Sequence, residues 1–399
     1  MSALSPIPII LVLILALATT HVLARRLAVV VPGGRVSSID GLRGFLALSV
    51  FINHGAVWFF YLRTGVWHAD SRLYNHLGES AVALFFMITG FLFFSKLINA
   101  KKRPVDWTRL YIGRLLRLGP LYLFAMAVLF TIVAILSEGR LKESAALFAL
   151  DAARWLGFTV AGIPDLNGIS RTWIIIGGVT WTLRYEWIFY LLLPLLGWAV
   201  SSRPPAGYLL LGGLALLSVK LLDLHPSIMA AFLGGMAAAV LVRCDKVRAI
   251  ASARLSALLV AGCVAAVVTQ FPTAFRPVPL LLLSVAFILV AGGNTVFGLL
   301  THATARVLGE LTYSIYLLHG LLLFGVFHFG LGLANAAALS PTGHWLVIAL
   351  CTPLLIGLSF LTFLRIESPA MRLAPKVVDW LRSGRILEAH PSPKPEGHE

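Results

Sequence analysis

The segment SSIDGLRGFLALSVFINHGAVWFF, residues 37–60, is a long apolar run with an arginine near its start and a histidine in its second half. Its apolar part, residues 44–62, is long enough to cross the hydrocarbon core of a bilayer as one helix. An ionised side chain at the centre of a bilayer costs roughly 2.5 to 3.5 kcal/mol on insertion scales, so such residues are functional candidates. The segment therefore predicts a membrane helix that carries part of a site.

The composition of the whole chain also indicates a membrane protein. Of the 399 residues 59% are apolar and 12% are charged, whereas about 25% are charged in an ordinary soluble protein. A soluble globule cannot hide that much apolar side chain, because polar groups must cover its surface. We therefore expect an all-α polytopic membrane protein and exclude a soluble enzyme, a disordered chain and a secreted disulfide scaffold.

Eleven apolar stretches of spanning length are separated by polar residues or by Pro and Gly. They are residues 6–24, 44–62, 79–95, 119–137, 182–200, 206–222, 226–242, 255–270, 278–298, 311–331 and 344–364. A signal peptide is the alternative for the first, but its arginines follow the apolar core and no small-residue cleavage site stands out. We predict about eleven transmembrane helices, the first of them a retained N-terminal helix.

The basic residues predict the orientation of these helices. With the N-terminus outside, 23 of the 32 Lys and Arg fall in cytoplasmic segments and seven fall in external ones. Cytoplasmic loops of membrane proteins carry this excess, so the net charge of +15 is largely topological. The C-terminus is then cytoplasmic, and nucleic-acid binding is not expected.

The connections add three expectations. Residues 1–36 form the extra helix and a basic linker, residues 37–375 form the membrane domain, and the polar tail 376–399 is expected to be disordered. The longest external connection, 138–181, contains an apolar patch at 145–160. That patch predicts an interfacial or re-entrant helix, or a lid over a site that opens outward.

Arg43 and His54 lie on one face of the second predicted helix. Eleven steps of about 100° make three turns plus about 20°, and the two residues are about 16 Å apart along the axis. Imidazole suits proton transfer because its unperturbed pKa lies near neutral pH, and it can also act as a nucleophile. The alternative is a core histidine bonded to a backbone carbonyl and an arginine that marks the membrane interface.

The cytoplasmic segment KKRPVDWTRLYIGRLLRLGP, residues 101–120, carries a second candidate site. Arg114 and Arg117 are three residues apart at the start of a helix, so they share a face and could bind phosphate groups by bidentate hydrogen bonds. The alternative is a basic loop that topology requires and that touches anionic lipid.

Two further segments place polar side chains inside predicted spans. In TWTLRYEWIFYLLLPLL, residues 180–196, Glu186 is flanked by Trp181 and Tyr185, and its expected partner is His54 or Arg43 across the bundle. In GELTYSIYLLHG, residues 309–320, Tyr316 and His319 are three residues apart on one helix face. An interfacial aromatic belt and aromatic packing are the respective alternatives. No zinc, P-loop, Rossmann or G-x-S-x-G pattern occurs, so no metal site is expected.

Several ordered blocks resemble one known family, the integral-membrane acyltransferase 3 group. The blocks are IDGLRG with the histidine that follows it, GESAVALFFMITGFLF, RLLR, TWTLRYEWIFYLLLPLL, GELTYSIYLLH and RIESPAMRL. They run in family order from about residue 37 to 373, nearly the whole chain. One block alone is weak, but their joint order and spacing are specific.

The resemblance implies a ten-helix domain of the bacterial cytoplasmic (inner) membrane that takes an acyl group, commonly acetyl, from cytoplasmic acyl-CoA. The acceptor is a hydroxyl of an exported or cell-surface glycan or a related molecule. The family's essential histidine maps onto His54 and its arginine onto Arg43. Its RxxR pair maps onto Arg114 and Arg117, and its acidic residue onto Glu186.

The residues and the resemblance lead to one expected mechanism. Arg43, Arg114 and Arg117 hold the phosphates of acyl-CoA, and His54 acts as base or as nucleophile. Glu186 or Asp40 is expected to orient the imidazole. A transporter or lipid-linked glycan flippase is the alternative function, and a scaffold subunit of a polysaccharide assembly is a third.

Overall fold

The computed structural model describes residues 2–27, 37–102, 104–200, 203–222 and 224–388. These residues form sixteen α-helices and no β-strand, which confirms the all-α fold. The helices are α1 Ile7–Arg26, α2 Ser37–Thr64, α3 Arg72–Ile98, α4 Trp107–Leu136, α5 Ala145–Leu156, α6 Trp181–Ala199, α7 Ala206–Leu221, α8 Pro226–Leu241, α9 Asp245–Ser252, α10 Ser256–Gln270, α11 Pro277–Ala291, α12 Ala303–Glu310, α13 Thr312–Phe324, α14 Leu333–Ala338, α15 Pro341–Thr362 and α16 Ser368–Glu388.

Each of the eleven apolar stretches overlaps one long helix, but the helices differ in length, and the stretches 278–298 and 311–331 extend past the ends of α11 and α13. Six helices of the described chain are long and apolar enough to cross a membrane, and α8 with α9 adds a seventh if that bent pair is one span. α10 and α11 have 15 residues each, so each rises only about 23 Å, less than the roughly 30 Å of the hydrocarbon core. The protein is a multi-pass membrane protein, and the number eleven stays a prediction.

Helix α2 lies at the centre of the bundle. It packs against α3, α12 and α13, and most of its middle turns are buried. Its approach to α12 is close because Gly309 has no side chain: a Cβ there would overlap the backbone of Asp40. This contact fixes the start of α2, which carries Arg43, against the end of α12.

The long connection between α4 and α6, residues 138–181, folds back onto the bundle. Helix α5 begins at a hydrogen bond from the backbone N–H of Leu147 to the Ser144 side chain, 3.3 Å long. The chain then returns through a single 3₁₀ turn, Thr172–Ile176, in which three isoleucines are buried against α13. The predicted helix at 145–160 therefore exists as α5, but the 3₁₀ turn is the part that reaches the bundle interior.

The end of the chain differs from the expectation of disorder. Residues 376–388 continue α16, which packs along α4. Val378 is buried in this contact, and the Arg382 guanidinium lies 2.7 Å from the Asp106 carboxylate at the start of α4. The polar composition of the tail reflects a helix with one exposed face. The basic linker at 28–36 and residues 389–399 lie outside the described residues.

Candidate active site

His54 of α2 and His319 of α13 form a hydrogen-bonded pair in the middle of the bundle. The His54 Nδ1 atom lies 3.0 Å from the His319 Nε2 atom, and the ring centroids are 4.9 Å apart. His319 is fully buried, whereas His54 is half-buried and borders a cavity. The sequence placed both residues inside spans, and the structure brings them into contact.

The backbone around the pair determines which nitrogen carries each proton. The His319 Nδ1 atom lies 3.0 Å from the Ile315 carbonyl oxygen, which can only accept, so Nδ1 is the protonated nitrogen of neutral His319. The His319 Nε2 atom is then an acceptor, and its partner, His54 Nδ1, must donate. The same His54 N–H also points at the Val50 carbonyl, 3.0 Å away. In this assignment the lone pair of His54 is on Nε2.

A glycine contact brings a third segment against the pair. A Cβ on Gly320 would overlap the backbone of Ile176, and a Cβ on Gly177 would lie 3.2 Å from the Gly320 Cα atom. That same Cβ would lie 3.9 Å from both imidazole rings. Gly177 also has a φ of +68°, which favours glycine. The 3₁₀ turn Thr172–Ile176, in the connection between α4 and α6, therefore packs directly beside both histidines.

The cavity beside His54 has a volume of about 180 Å³, and we call it the histidine chamber. Its walls combine aromatic rings with hydrogen-bonding groups, among them Trp67, Asn75, Glu79, Trp181 and Tyr316. The Trp67 ring centroid lies 6.0 Å from that of His54. A hydroxylated molecule with an apolar face would find both kinds of contact next to the imidazole.

A second cavity of about 170 Å³ lies between α2, α3, α4, α6 and α13, and we call it the arginine chamber. It is lined by Arg43, Arg114 and Arg117 together with Glu186. The sequence placed these residues on three different helices, and the structure brings all four to one cavity.

The arginine chamber carries an excess of positive charge. Arg114 lies over the Phe93 ring at 5.0 Å, and an Arg117 N–H points at the Met371 sulfur. Among the residues that the structure describes, none of the three arginines forms a salt bridge. Glu186 supplies one carboxylate, which accepts hydrogen bonds from the Tyr190 hydroxyl at 3.0 Å and from Thr89 at 3.4 Å. Such a cavity is suited to a ligand with several negative charges.

The two chambers adjoin each other. Val82 and Tyr316 line both of them, so these two side chains stand where one cavity meets the other. The Tyr316 hydroxyl is within 3.0 Å of the Thr182 hydroxyl and 3.2 Å from the Val179 carbonyl oxygen. A ligand that reached from the arginine chamber to His54 would have to pass these two side chains.

Two expected contacts of His54 are not made. Asp40 precedes His54 by fourteen residues on one continuous helix, so it lies about 21 Å away along the axis and cannot orient the imidazole. Its charge instead interacts with those of Arg43 and Glu310. Glu186 lines the arginine chamber and bonds Tyr190 and Thr89, not His54. The imidazole is held by Val50 and His319, and it also makes a hydrogen bond to the backbone of Gly177.

Trp181 and Tyr185, the two aromatic residues that flank Glu186 on α6, lie in different surroundings. Trp181 lines the histidine chamber. Tyr185 lines neither chamber, and its hydroxyl accepts a hydrogen bond from the backbone N–H of His225, 3.2 Å away, at the start of α8. Tyr185 therefore connects helices rather than facing a site.

Four residues of interest were missed in the sequence. Trp67, Asn75 and Glu79 line the histidine chamber, and Glu367 is buried, accepting a hydrogen bond from Ser314 on α13. Glu79 and Glu367 had a detectable signal, because both are carboxylates at the end of an apolar stretch. Trp67 and Asn75 lie in a polar connection and had none.

Comparison with known protein families shows which family this chain belongs to. A family profile described as an acyltransferase domain matches residues 36–364, most of the chain. The chain belongs to the acyltransferase 3 family. The matched region of this acyltransferase 3 protein includes every residue that lines the two chambers, and it begins just before α2.

One curated relative is similar over part of its length. The acyltransferase MdmB from Streptomyces mycarofaciens is 30% identical over 168 residues, which are 40% of this acyltransferase 3 chain and 39% of the relative. The match thus spans about two fifths of that protein. No solved structure matches the chain.

Proposed function

We propose that this protein is a membrane O-acyltransferase that moves an acyl group, commonly acetyl, from acyl-CoA to a hydroxyl of a glycan or related acceptor. The observation that supports this best is the adjacency of the two chambers. One presents three arginines that form no salt bridge with any residue the structure describes, and the other presents an imidazole whose Nδ1 is bonded to Val50 and His319, which puts its lone pair on Nε2. Membership of the family is the second support.

The arginine chamber is the proposed site for the phosphates of acyl-CoA. Guanidinium groups bind phosphate oxygens through two parallel hydrogen bonds, and coenzyme A carries three phosphate groups. Arg43 and His54 are eleven residues apart on α2, about 16 Å of helix rise. An extended pantetheine arm is long enough to cover this distance and to carry the thioester past Tyr316.

His54 is the proposed catalytic base. As the acceptor oxygen attacks the thioester carbonyl carbon, Nε2 takes the hydroxyl proton; the C–S bond then breaks and the departing sulfur receives a proton. In the two-step alternative, Nε2 itself attacks the carbonyl carbon, the C–S bond breaks and coenzyme A leaves as the thiolate; the acceptor hydroxyl then attacks the acyl group, its proton goes to the thiolate and the neutral imidazole is released. Both routes need the same free nitrogen.

The histidine chamber is the proposed acceptor site. Trp67 and Trp181 offer rings on which the apolar face of a sugar can pack, while Asn75 and Glu79 offer hydrogen bonds for its hydroxyls. With the arginine chamber on the cytoplasmic side of a bacterial inner membrane, the acceptor would approach from the opposite side. The transporter alternative explains neither the paired histidines beside this cavity nor the family.

Transfer of a labelled acyl group tests the proposed function. The purified protein in proteoliposomes is given radiolabelled acetyl-CoA with a panel of sugars and simple alcohols, and products are separated by chromatography. We expect label in an acceptor with the wild type and none with His54→Ala. Uptake or flipping of a labelled acceptor without covalent change, with all label left on acetyl-CoA, would overturn the proposal.

A further inference from the structure

We propose that His319 is the positioning residue for His54: it holds the imidazole in the tautomer and orientation that the reaction needs, and it stabilises the charged ring. The proposal rests on the proposed function, because it explains how His54 works as base or nucleophile. It is carried by the 3.0 Å contact between His319 Nε2 and His54 Nδ1.

The two histidines have different exposures, which assigns their roles. His54 borders the histidine chamber and is half-buried, whereas His319 has no exposed surface and does not line either chamber. A fully buried ring cannot reach an acceptor hydroxyl. His319 therefore acts through His54 and does not touch substrate.

The orientation of the pair follows from one fixed hydrogen bond. The Ile315 carbonyl accepts from His319 Nδ1, so the opposite nitrogen of His319 is left to accept. This acceptor faces the N–H of His54, which puts the lone pair of neutral His54 on the nitrogen next to the Gly177 backbone. A second donor at this position would instead repel the His54 N–H.

The hydrogen bond between His54 and His319 is stronger when His54 is charged. When Nε2 takes up a proton or an acyl group, the ring becomes positive and its Nδ1–H becomes a stronger donor to His319 and to Val50. The carboxylate of a hydrolase triad has this role toward its histidine. Here a neutral imidazole has the role, since Glu186 and Asp40 make no contact with His54.

Two substitutions of similar size separate the hydrogen bond from the packing. In His319→Gln the amide oxygen can still accept from His54, whereas the side chain of His319→Met is a poor acceptor. We expect His319→Met to lower kcat about 10- to 100-fold with little change in KM for acetyl-CoA. His319→Gln should recover most of that loss. If His319 had only a structural role, kcat would fall in both variants in proportion to their loss of stability, and His319→Gln would show no specific recovery.

A matched control is available on α15. His344 is another fully buried histidine, and its Nε2 atom lies 2.8 Å from the carbonyl oxygen of Gly55, the residue after His54. It packs on the same turn of α2 without touching the His54 ring. His344→Gln should reduce thermal stability without lowering kcat in the folded fraction.

Diethyl pyrocarbonate provides a measurement that needs no acyl donor or acceptor. The reagent is attacked by an unprotonated imidazole nitrogen, and the rate at His54 is followed by peptide mass spectrometry. We expect His54 to react about tenfold more slowly in His319→Met than in the wild type or in His319→Gln. Binding of coenzyme A to the same preparations, measured by calorimetry, should be unchanged, which shows that the variants are folded.

The two proposals can fail separately. If the wild type transfers label and His54→Ala does not, but His319→Met matches the wild type in kcat and in His54 reactivity, the positioning role is wrong. If the wild type transfers no label while His54 reactivity depends on residue 319 as described, the pairing is correct and the proposed function is wrong.

Discussion

At the scale of single residues, the two nitrogens of His54 have different surroundings. Nδ1 is occupied by the Val50 carbonyl and by His319, so chemistry is left to Nε2. The histidine was recognisable in the sequence because it interrupts an apolar span. Its partner was not, because the Nδ1 contact joins residues 265 positions apart, and a single sequence shows no cross-helix pairing. Of the two carboxylates considered for this role, Asp40 lies at the start of α2 and Glu186 lines the arginine chamber together with Arg43, its other expected partner.

Substitution of His54 tests its chemical role. In His54→Gln the side chain keeps polarity but has no basic nitrogen, so we expect kcat for acyl transfer to fall about 10²- to 10⁴-fold. KM for acyl-CoA should change little, because the residue does not line the arginine chamber. Steady-state kinetics on protein purified as a single species in nanodiscs measures both. Turnover at the wild-type rate in His54→Gln would show that His54 is not the base.

Removal of two arginine side chains tests the phosphate site. In Arg114→Gln with Arg117→Gln we expect KM for acyl-CoA to rise at least tenfold and kcat to fall less, because these groups bind the donor equally throughout the reaction. Arg109→Gln is the matched control, since Arg109 is on the same helix but is exposed and lines neither chamber. An equal rise of KM in the control would show that Arg114 and Arg117 act only as part of a general basic surface.

At the scale of elements, the helices followed from the apolar pattern, but the turn beside the histidines did not. Each apolar stretch became a helix because the backbone of a span must satisfy its own hydrogen bonds. The turn Thr172–Ile176 has no such period, and its place depends on the contact between Gly177 and Gly320. Sequence reasoning predicted a covering element in this connection, and the covering part is the turn rather than α5.

A methyl group at Gly320 tests whether this turn is needed. In Gly320→Ala the new Cβ would overlap the Ile176 backbone, so the turn must move away from the histidines. We expect a loss of about 1 to 3 kcal/mol of stability and a fall in kcat. Thermal unfolding and transfer assays measure the two effects. The control is Gly325→Ala, where nothing lies within 4 Å; if Gly320→Ala behaves like it, the contact is unimportant.

At the scale of the whole molecule, the chambers follow one another along α2, and the proposed direction of transfer depends on orientation. The excess of basic residues predicts that the arginine chamber faces the cytoplasm. The fold class and the family were both recognisable from composition and ordered blocks. The number of membrane spans could not be predicted from the sequence, because several short helices lie at the limit of spanning length.

A native cysteine tests this orientation. Cys244 is exposed at the junction of α8 and α9, on the side predicted to be cytoplasmic, while Cys263 and Cys351 are buried. A membrane-impermeant maleimide should label Cys244 in inverted membrane vesicles and not in intact cells. Arg140→Cys in a Cys244→Ser background should show the opposite pattern. Labelling of Cys244 from outside would reverse the topology and place the arginine chamber on the wrong side for cytoplasmic acyl-CoA.

The most direct measurement of the central claim is an experimental structure of the protein with an unreactive acetyl-CoA analogue in which a ketone replaces the thioester. The account predicts phosphates on Arg43, Arg114 and Arg117, and the carbonyl carbon of the analogue within about 4 Å of His54 Nε2. An analogue bound outside the arginine chamber, or one whose carbonyl lies on the far side of Tyr316 from His54, would contradict it.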